Sequence, residues 1–233
     1  MATVMTVLRT GVSFQHAQNT QRDFGPQHVQ AIQRQVRKWA PAGTEFRCLS
    51  DVPVPGVECI PLKYDWPGWW AKLELFRPDI KGDFLYTDLD NTITGPIDDL
   101  LNVGRLTAQI GFWTALMFLP EVVRPPVWEH FTRDPHRWMR TYERGSCPGI
   151  YGDAGYMGSL LEKDASHWET FPGEKQVMNI AQFMSKRWPH GHGWGKIAPW
   201  QIPKNMRILL SGQPFRPWTL PRFKKQYWCA EDL

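Results

Sequence analysis

The sequence predicts an α/β fold, one domain built on an open, mostly parallel central sheet flanked by helices. Three observations carry this expectation. Apolar runs alternate with segments of helical spacing through the first half, the pattern of strands joined by crossover helices. Two of those runs end in acids, Ser50-Asp51 and Asp88-Leu89-Asp90, and in such sheets the carboxyl ends of strands open onto ligands. At 233 residues and 42% hydrophobic content, the chain is long and apolar enough to bury a full core and too apolar for wholesale disorder.

The elements follow in order. Thr3 to Leu8 reads as a first strand running into Arg9-Thr10-Gly11. Residues 12–25 are polar and aperiodic and predict a loop over the site. Pro26 suits a first helical position, and Val29, Ile32, Val36 and Trp39 recur at helical spacing until Pro41 and Gly43 end the element. Glu45 to Leu49 predicts a second strand and Val57 to Leu62 a third. Gly68 to Phe76 is apolar at 69, 70, 73 and 76, which predicts a helix stopped by Pro78. Asp83 to Thr87 is the strand before the paired acids. In the second half, Phe112 to Leu119 predicts a strand, Val127 to Met139 one helix, Tyr156 to Lys163 a short helix and Met206 to Leu210 a last strand. Beyond Lys186 the chain is dense in Trp, Pro, Gly and His and reads as loops on aromatic anchors. The whole is read as one domain in two halves, 1–110 and 111–233.

Composition narrows the function. No apolar run reaches the 18 or more residues of a membrane span. The start lacks a basic leader with an apolar stretch and cleavage site, so a cytoplasmic protein is expected. Cys48, Cys59, Cys147 and Cys229 are scattered with no Cys-x-x-Cys, which argues against a zinc site and fits reduced thiols. The net charge of +4 is compatible with phosphate-bearing ligands but too small to establish nucleic-acid binding. Thirteen tryptophans exceed what a core of this size needs, and flat side chains stack on bases or sugar rings.

Asp88-x-Asp90-x-Thr92 places two carboxylates at a strand end, a donor set for a hard divalent cation that would carry phosphate. The bland alternative is a pair of turn acids. One chemistry is that of haloacid dehalogenase-like phosphatases, in which Asp88 would be nucleophile, Asp90 general acid and Thr92 the phosphate-positioning residue. Against it, a βαβ-like half precedes the motif, and Gly152-Asp153 lacks the acid expected four residues on, where Met157 stands.

The second chemistry has wider support. Thr6-Val7-Leu8-Arg9-Thr10-Gly11, Cys48-Leu49-Ser50-Asp51, Gly68 to Phe76, Tyr86-Thr87-Asp88-Leu89-Asp90, Gly95 to Leu100, Gly152-Asp153 and Arg216-Pro217-Trp218 stand in an order and spacing that resembles GT-A fold glycosyltransferases of the glycogenin-like, family 8 type, including phage-encoded relatives. The resemblance runs from about Thr6 to Trp218 and implies a nucleotide-sugar-binding half, 1–110, and an acceptor-side half, 111–233. It implies a Rossmann-like mixed sheet, a nucleoside diphosphate-sugar donor with UDP-sugar favoured, Mn²⁺ or Mg²⁺ as cofactor, and transfer with retention at the anomeric carbon. By position, Asp90 would be the direct metal ligand and Asp88 a ligand of the metal or the donor ribose. The cation neutralises the charge growing on a departing diphosphate.

The other roles carry over in the same way. Lys72 sits where relatives keep a basic residue against donor phosphate or sugar, and its alternative is a solvated helix lysine. Leu8, Arg9, Thr10, Gly11, Asp51, Leu89, Gly212 and Arg216 would line the donor. Asp153 would contact the transferred sugar near its anomeric carbon. Two positions depart from the pattern: Ala154 replaces a Gln, and Ser211 stands where relatives place a His on the metal. These departures keep a catalytically degenerate nucleotide-binding relative open. Asp98 and Asp99 read as structural acids at a helix start.

The acceptor is argued separately, since fold does not fix it. A hydroxymethylated pyrimidine in phage DNA, modified in the host cytoplasm, is favoured by the basic surplus, the segment holding Trp188, Trp194 and Trp200, and the tail Arg222 to Trp228. A surface glycan is the competing acceptor, because aromatic residues also stack on pyranose rings.

Overall fold

The computed structural model describes residues 1–10, 24–143, 150–168, 177–179, 206–210 and 217–219. Among them, a seven-stranded sheet runs in the order β3-β2-β1-β4-β7-β6-β8. Its strands are β1 (Thr3–Leu8), β2 (Glu45–Ser50), β3 (Glu58–Pro61), β4 (Phe84–Thr87), β6 (Thr107–Gln109), β7 (Trp113–Leu119) and β8 (Ser166–His167). β1 is parallel to both β2 and β4, and β2 is parallel to β3. β7 breaks the pattern by pairing antiparallel with β4 and β6, while β6 and β8 are parallel. The sheet is therefore mixed and mostly parallel, as the sequence predicts.

Period-two alternation divides each strand between two cores. Val4 and Leu8 of β1, Leu85 of β4, and Leu116 and Phe118 of β7 face one apolar cluster. Met5, Phe84, Tyr86, Met117 and Leu119 face the other. A sheet buried on both sides suits its nearly unbroken apolar strands. The first face is covered by α1 (Pro26–Trp39). Its Gln35 side chain accepts from the Ile93 amide at 2.8 Å, fixing the helix to a second, three-stranded sheet of order β5-β10-β9. Those strands are β5 (Thr92–Ile93), β9 (Val177–Asn179) and β10 (Ile208–Leu210). Trp218 packs on the start of α1, its ring 4.7 Å from that of His28.

The second face is covered by a 3₁₀ helix over Gly68–Phe76 and by α2 (Arg124–Thr132), α3 (Pro135–Thr141) and α4 (Gly152–Leu161). The helix expected at Gly68–Phe76 forms over those residues and is of the 3₁₀ kind. Two expectations are corrected here. The single helix expected over Val127 to Met139 is two, because Pro135 cannot donate to the ladder and disfavours helical backbone at Asp134. Asp134 instead caps α3, its carboxylate accepting from the Arg137 amide at 2.9 Å. The short helix expected from Tyr156 starts at Gly152.

Cys48 and Cys59 are free thiols. No helix among the described residues is long and apolar enough to cross a membrane. The predicted loop at 12–23 and the tail from Arg222 lie outside the described residues, as do Cys147 and Cys229.

Candidate active site

Because β2, β1 and β4 are parallel, their carboxyl ends share one edge. The chain passes from β1 to β2 on one side and later returns to β4 on the other, so the order reverses between β1 and β4. That reversal point is where open α/β sheets hold ligands. The antiparallel β7 brings its first residues, Trp113 and Thr114, to the same edge.

At the end of β1 the predicted residues are brought together. Asp51 accepts from the Thr10 amide at 3.0 Å, the Thr10 hydroxyl at 2.9 Å and Arg9 Nη1 at 3.1 Å. The other Arg9 nitrogen, Nη2, pairs with Asp65. This clasp fixes Arg9 and Thr10, the two residues that follow β1. The Leu8 and Leu89 side chains are buried in the α1-side core, so those residues can offer a ligand only main-chain atoms.

At the end of β4 the turn carrying the acids is held from behind. The Asp88 amide donates to the Ala115 carbonyl at 2.9 Å. The fully buried Asn91 amide donates to the same carbonyl at 2.6 Å and to the Thr87 hydroxyl at 3.0 Å. Thr92, the phosphate-positioning residue of the phosphatase alternative, is buried in β5 opposite Leu209. β10, which leads to Ser211 and Gly212, ends beside this turn at Leu210.

Lys72 joins the acids. Its ammonium lies 2.9 Å from Asp88 Oδ1 and 3.1 Å from Asp153 Oδ2. The Thr114 hydroxyl donates to Asp153 Oδ2 at 2.6 Å, and the Tyr86 hydroxyl donates to Asp88. Burial pushes the Lys72 ammonium down, but Asp153 and Asp88 outweigh it, and the group is held above its ordinary value and stays charged. Burial pushes the Asp88 carboxyl up, and Lys72 and Tyr86 only partly offset it. The Tyr86 hydroxyl is pushed well up by burial and by its three carboxylate neighbours, Asp88, Asp153 and Asp90. Two acids thus converge on one ammonium, leaving an excess of negative charge.

The periodicity of the 3₁₀ helix explains how Lys72 arrives there. Residues three apart eclipse in such a helix, so Trp69 and Lys72 face α4 together. Trp69 packs on Gly152 and Lys72 meets Asp153. Gly152 has φ +70, and a Cβ there would lie 2.7 Å from the Trp69 indole nitrogen. Both strain and collision oppose a side chain at this position. Gly152→Ala is expected to cost stability and to weaken the Lys72–Asp153 contact, shown by a melting point several degrees lower. An unchanged melting point would contradict the geometry.

Oxygen donors and a net negative charge are the chemistry a divalent cation needs. Asp88 keeps acceptor capacity, since a carboxylate offers about four lone-pair sites. Among the described residues no three His, Cys, Asp or Glu side chains form a metal-holding group by themselves, so Asp88 and Asp90 would be completed by water, ligand oxygens or other residues. Thr114, Tyr86 and Asn91 were not singled out by the sequence. Each sits in or beside an apolar strand, where a hydroxyl or amide reads as an ordinary strand or turn residue. Gly11, Gly212, Arg216, Ser211, Trp188, Trp194 and Trp200 lie outside the described residues.

One further feature borders the site. Gly111 has φ +77 and Phe112 φ +49, a left-handed pair in the turn between β6 and β7. For a bulky side chain that conformation is strained. It buries Phe112 completely and leaves Trp113 50% exposed.

No protein-family model matches the sequence, and no curated protein matches it. Solved structures do. The apo form of the glycosyltransferase GlyE from Streptococcus pneumoniae TIGR4 superposes with a TM-score of 0.59 at 15% identity, over 92% of this chain and 55% of that one. A second GlyE structure gives 0.60 at 13% identity, over 97% and 59%. The galactosyltransferase LgtC, in complex with donor and acceptor sugar analogues, gives 0.57 at 12% identity, over 96% and 93%. The chain therefore spans somewhat over half the length of GlyE and nearly all of LgtC. The fold is the GT-A-like fold of these glycosyltransferases.

Proposed function

We propose that this protein is a glycosyltransferase that moves a sugar from a nucleoside diphosphate-sugar, a UDP-sugar above all, to a hydroxyl acceptor. The single observation that carries the reading is the Asp88–Lys72–Asp153 cluster at the carboxyl edge of β4. It lies at the sheet's reversal point, in a fold shared with enzymes that include one bound to donor and acceptor sugar analogues. The resemblance to glycogenin-like, family 8 enzymes and their phage relatives supports the same assignment.

In this reading Asp88 and Asp90 hold Mn²⁺ or Mg²⁺, and the cation, when bound, neutralises charge on the departing diphosphate. Lys72 supplies a fixed second positive charge and orients Asp88 and Asp153. The bonds to Asp153 from Thr114 and Lys72 both fall on Oδ2, which leaves Oδ1 for a hydroxyl of the transferred sugar. The Asp51 clasp sets Arg9 and Thr10 where the nucleotide would be received. The glycogenin-like resemblance implies retention at the anomeric carbon, with the departing phosphate taking the acceptor proton on the same face. NMR of the product would show inverted anomeric coupling if this is wrong.

The test is direct. With Mn²⁺ and UDP-[³H]glucose or UDP-[³H]galactose, label is expected to pass to one of two acceptor classes. The first is DNA carrying hydroxymethylated pyrimidine, supported by the basic, aromatic-rich C-terminal sequence. The second is a carbohydrate. Absence of both transfer and donor hydrolysis, with nucleotide still bound, would make the chain the degenerate relative instead. Release of phosphate from p-nitrophenyl phosphate would return the phosphatase.

A further inference from the structure

We infer that the cavity between α2, the end of α4 and the start of β6 is a second ligand site, built for a small amphipathic carboxylate, an aliphatic chain ending in one anionic group. Leu106 precedes β6 and Pro120 follows β7. Thr107 pairs with Phe118, and Phe84 with Leu119. Leu106 and Pro120 therefore stand at the edge where β4 begins, the opposite edge from Asp88. The cavity holds about 600 Å³, the size of a small-molecule site. Leu106, Pro120, Val122, Pro126, Val127 and Leu161 line it. Leu106, Val127 and Leu161 are buried, whereas Val122 is 78% exposed, so the cavity opens to solvent beside it. Such walls favour taking an aliphatic chain out of water.

The polar groups define the other end of the occupant. His130 of α2 lines the cavity. Its Nδ1 lies 2.8 Å from the Tyr156 hydroxyl, and its ring stacks on Trp138 with centroids 4.5 Å apart. Burial pushes the Tyr156 hydroxyl up, so it keeps its proton and donates to Nδ1. The proton of the neutral imidazole is thereby assigned to Nε2, which is the ring nitrogen left for an acceptor on the ligand. A protonated imidazole would offer the same N–H.

Charge agrees with that donor. Arg105 and Lys163 bring two positive charges to the lining and Asp164 one negative charge. The other ionised groups on the surrounding elements have partners elsewhere or lie outside the lining. Glu121 accepts from the Gly82 amide and pairs with Lys81 and Arg124. Arg124 also donates to the Ile80 and Gly82 carbonyls. Glu162 accepts from the Gly111 amide and faces His167. Glu129 is exposed and does not line the cavity. Two cations against one carboxylate leave a single positive charge, which a monoanionic head group matches and a phosphate dianion exceeds.

Titration of carboxyl-¹³C-labelled decanoate, kept below its micellar concentration and followed by its carboxyl resonance, tests the site. A saturable shift is expected for the wild-type protein, with at least tenfold weaker binding of decyltrimethylammonium. Lys163→Glu is expected to weaken decanoate binding about tenfold. Pro126→Trp puts an indole into the cavity and is expected to abolish binding. Both positions are exposed, and melting curves check that the variants fold. No saturable shift in the wild type, or unchanged affinity in Pro126→Trp, overturns the site. Equal affinity for decyltrimethylammonium, or no loss in Lys163→Glu, overturns the choice of an anion. Binding to phosphatidylglycerol vesicles that Pro126→Trp abolishes, with no free decanoate bound, overturns the small-molecule assignment in favour of a membrane surface. None of these readouts uses a UDP-sugar, so this site stands or falls apart from sugar transfer.

Discussion

Asp90→Ala is expected to lower sugar transfer from a UDP-sugar by about 10²–10³-fold while shifting the melting temperature by no more than a few degrees. The expectation rests on what holds the turn in place. Asn91, Thr87 and the Asp88 amide anchor it to β7 through the Ala115 carbonyl and one another. In the proposed reading Asp90 serves the cation, and the turn keeps these anchors without it. Asp88→Asn is a different experiment, because it also removes the charge that Lys72 and Tyr86 address. Initial rates across a Mn²⁺ titration would separate the two roles: loss of a cation ligand raises the Mn²⁺ needed for half-maximal rate. A wild-type rate for Asp90→Ala at low Mn²⁺ would end the metal assignment.

Glu74→Ala should be the most destabilising single change on the α2 side of the sheet, at about 3–5 kcal/mol. Glu74 is fully buried. It accepts from the Lys63 amide at 2.7 Å, the Tyr64 amide at 3.0 Å and Arg77 Nη1 at 2.6 Å. Arg77, itself buried, also reaches the Pro61 carbonyl at 2.8 Å and both oxygens of Asp79. Removing Glu74 leaves two backbone donors and part of a buried guanidinium without their acceptor. For a chain of this length the loss corresponds to a fall of roughly 6–20 °C in melting temperature. A fall under about 2 °C would show that the network carries little.

The pH dependence has a definite sign. Hydrogen bonding from Arg77 holds the Asp79 carboxyl well below the usual carboxylate range. An acid depressed in the folded state adds stability that is complete at neutral pH and fades as pH falls below about 4. The network matters to the site because it pins the strand end at Lys63 and Tyr64 to the 3₁₀ helix that carries Lys72.

Much of the first half was legible in the sequence because its breaks are chemical. β1 and β4 are apolar runs closed by polar residues, and α1 opens on Pro26 and repeats every three to four residues. The resemblance set Lys72 against donor phosphate or sugar but did not foresee its pairing with Asp88, since spacing alone cannot bring a helix to a strand end. β5 and β8 are two residues long and β6 three, too short to carry a period. They exist because longer neighbours supply the other half of each ladder. The split between α2 and α3 was written in Asp134-Pro135 but masked by apolar residues at helical spacing on both sides. Thr114 and Tyr86 escaped because a hydroxyl within an apolar run signals nothing until the fold shows which acid it meets.

Lys72 has one more consequence. Because an ammonium already sits between Asp88 and Asp153, the acids do not need a visitor to offset their mutual repulsion. The newly made chain can therefore assemble this corner without waiting for cargo. On the proposed role of Asp88 and Asp90, chelation would silence the protein without melting it.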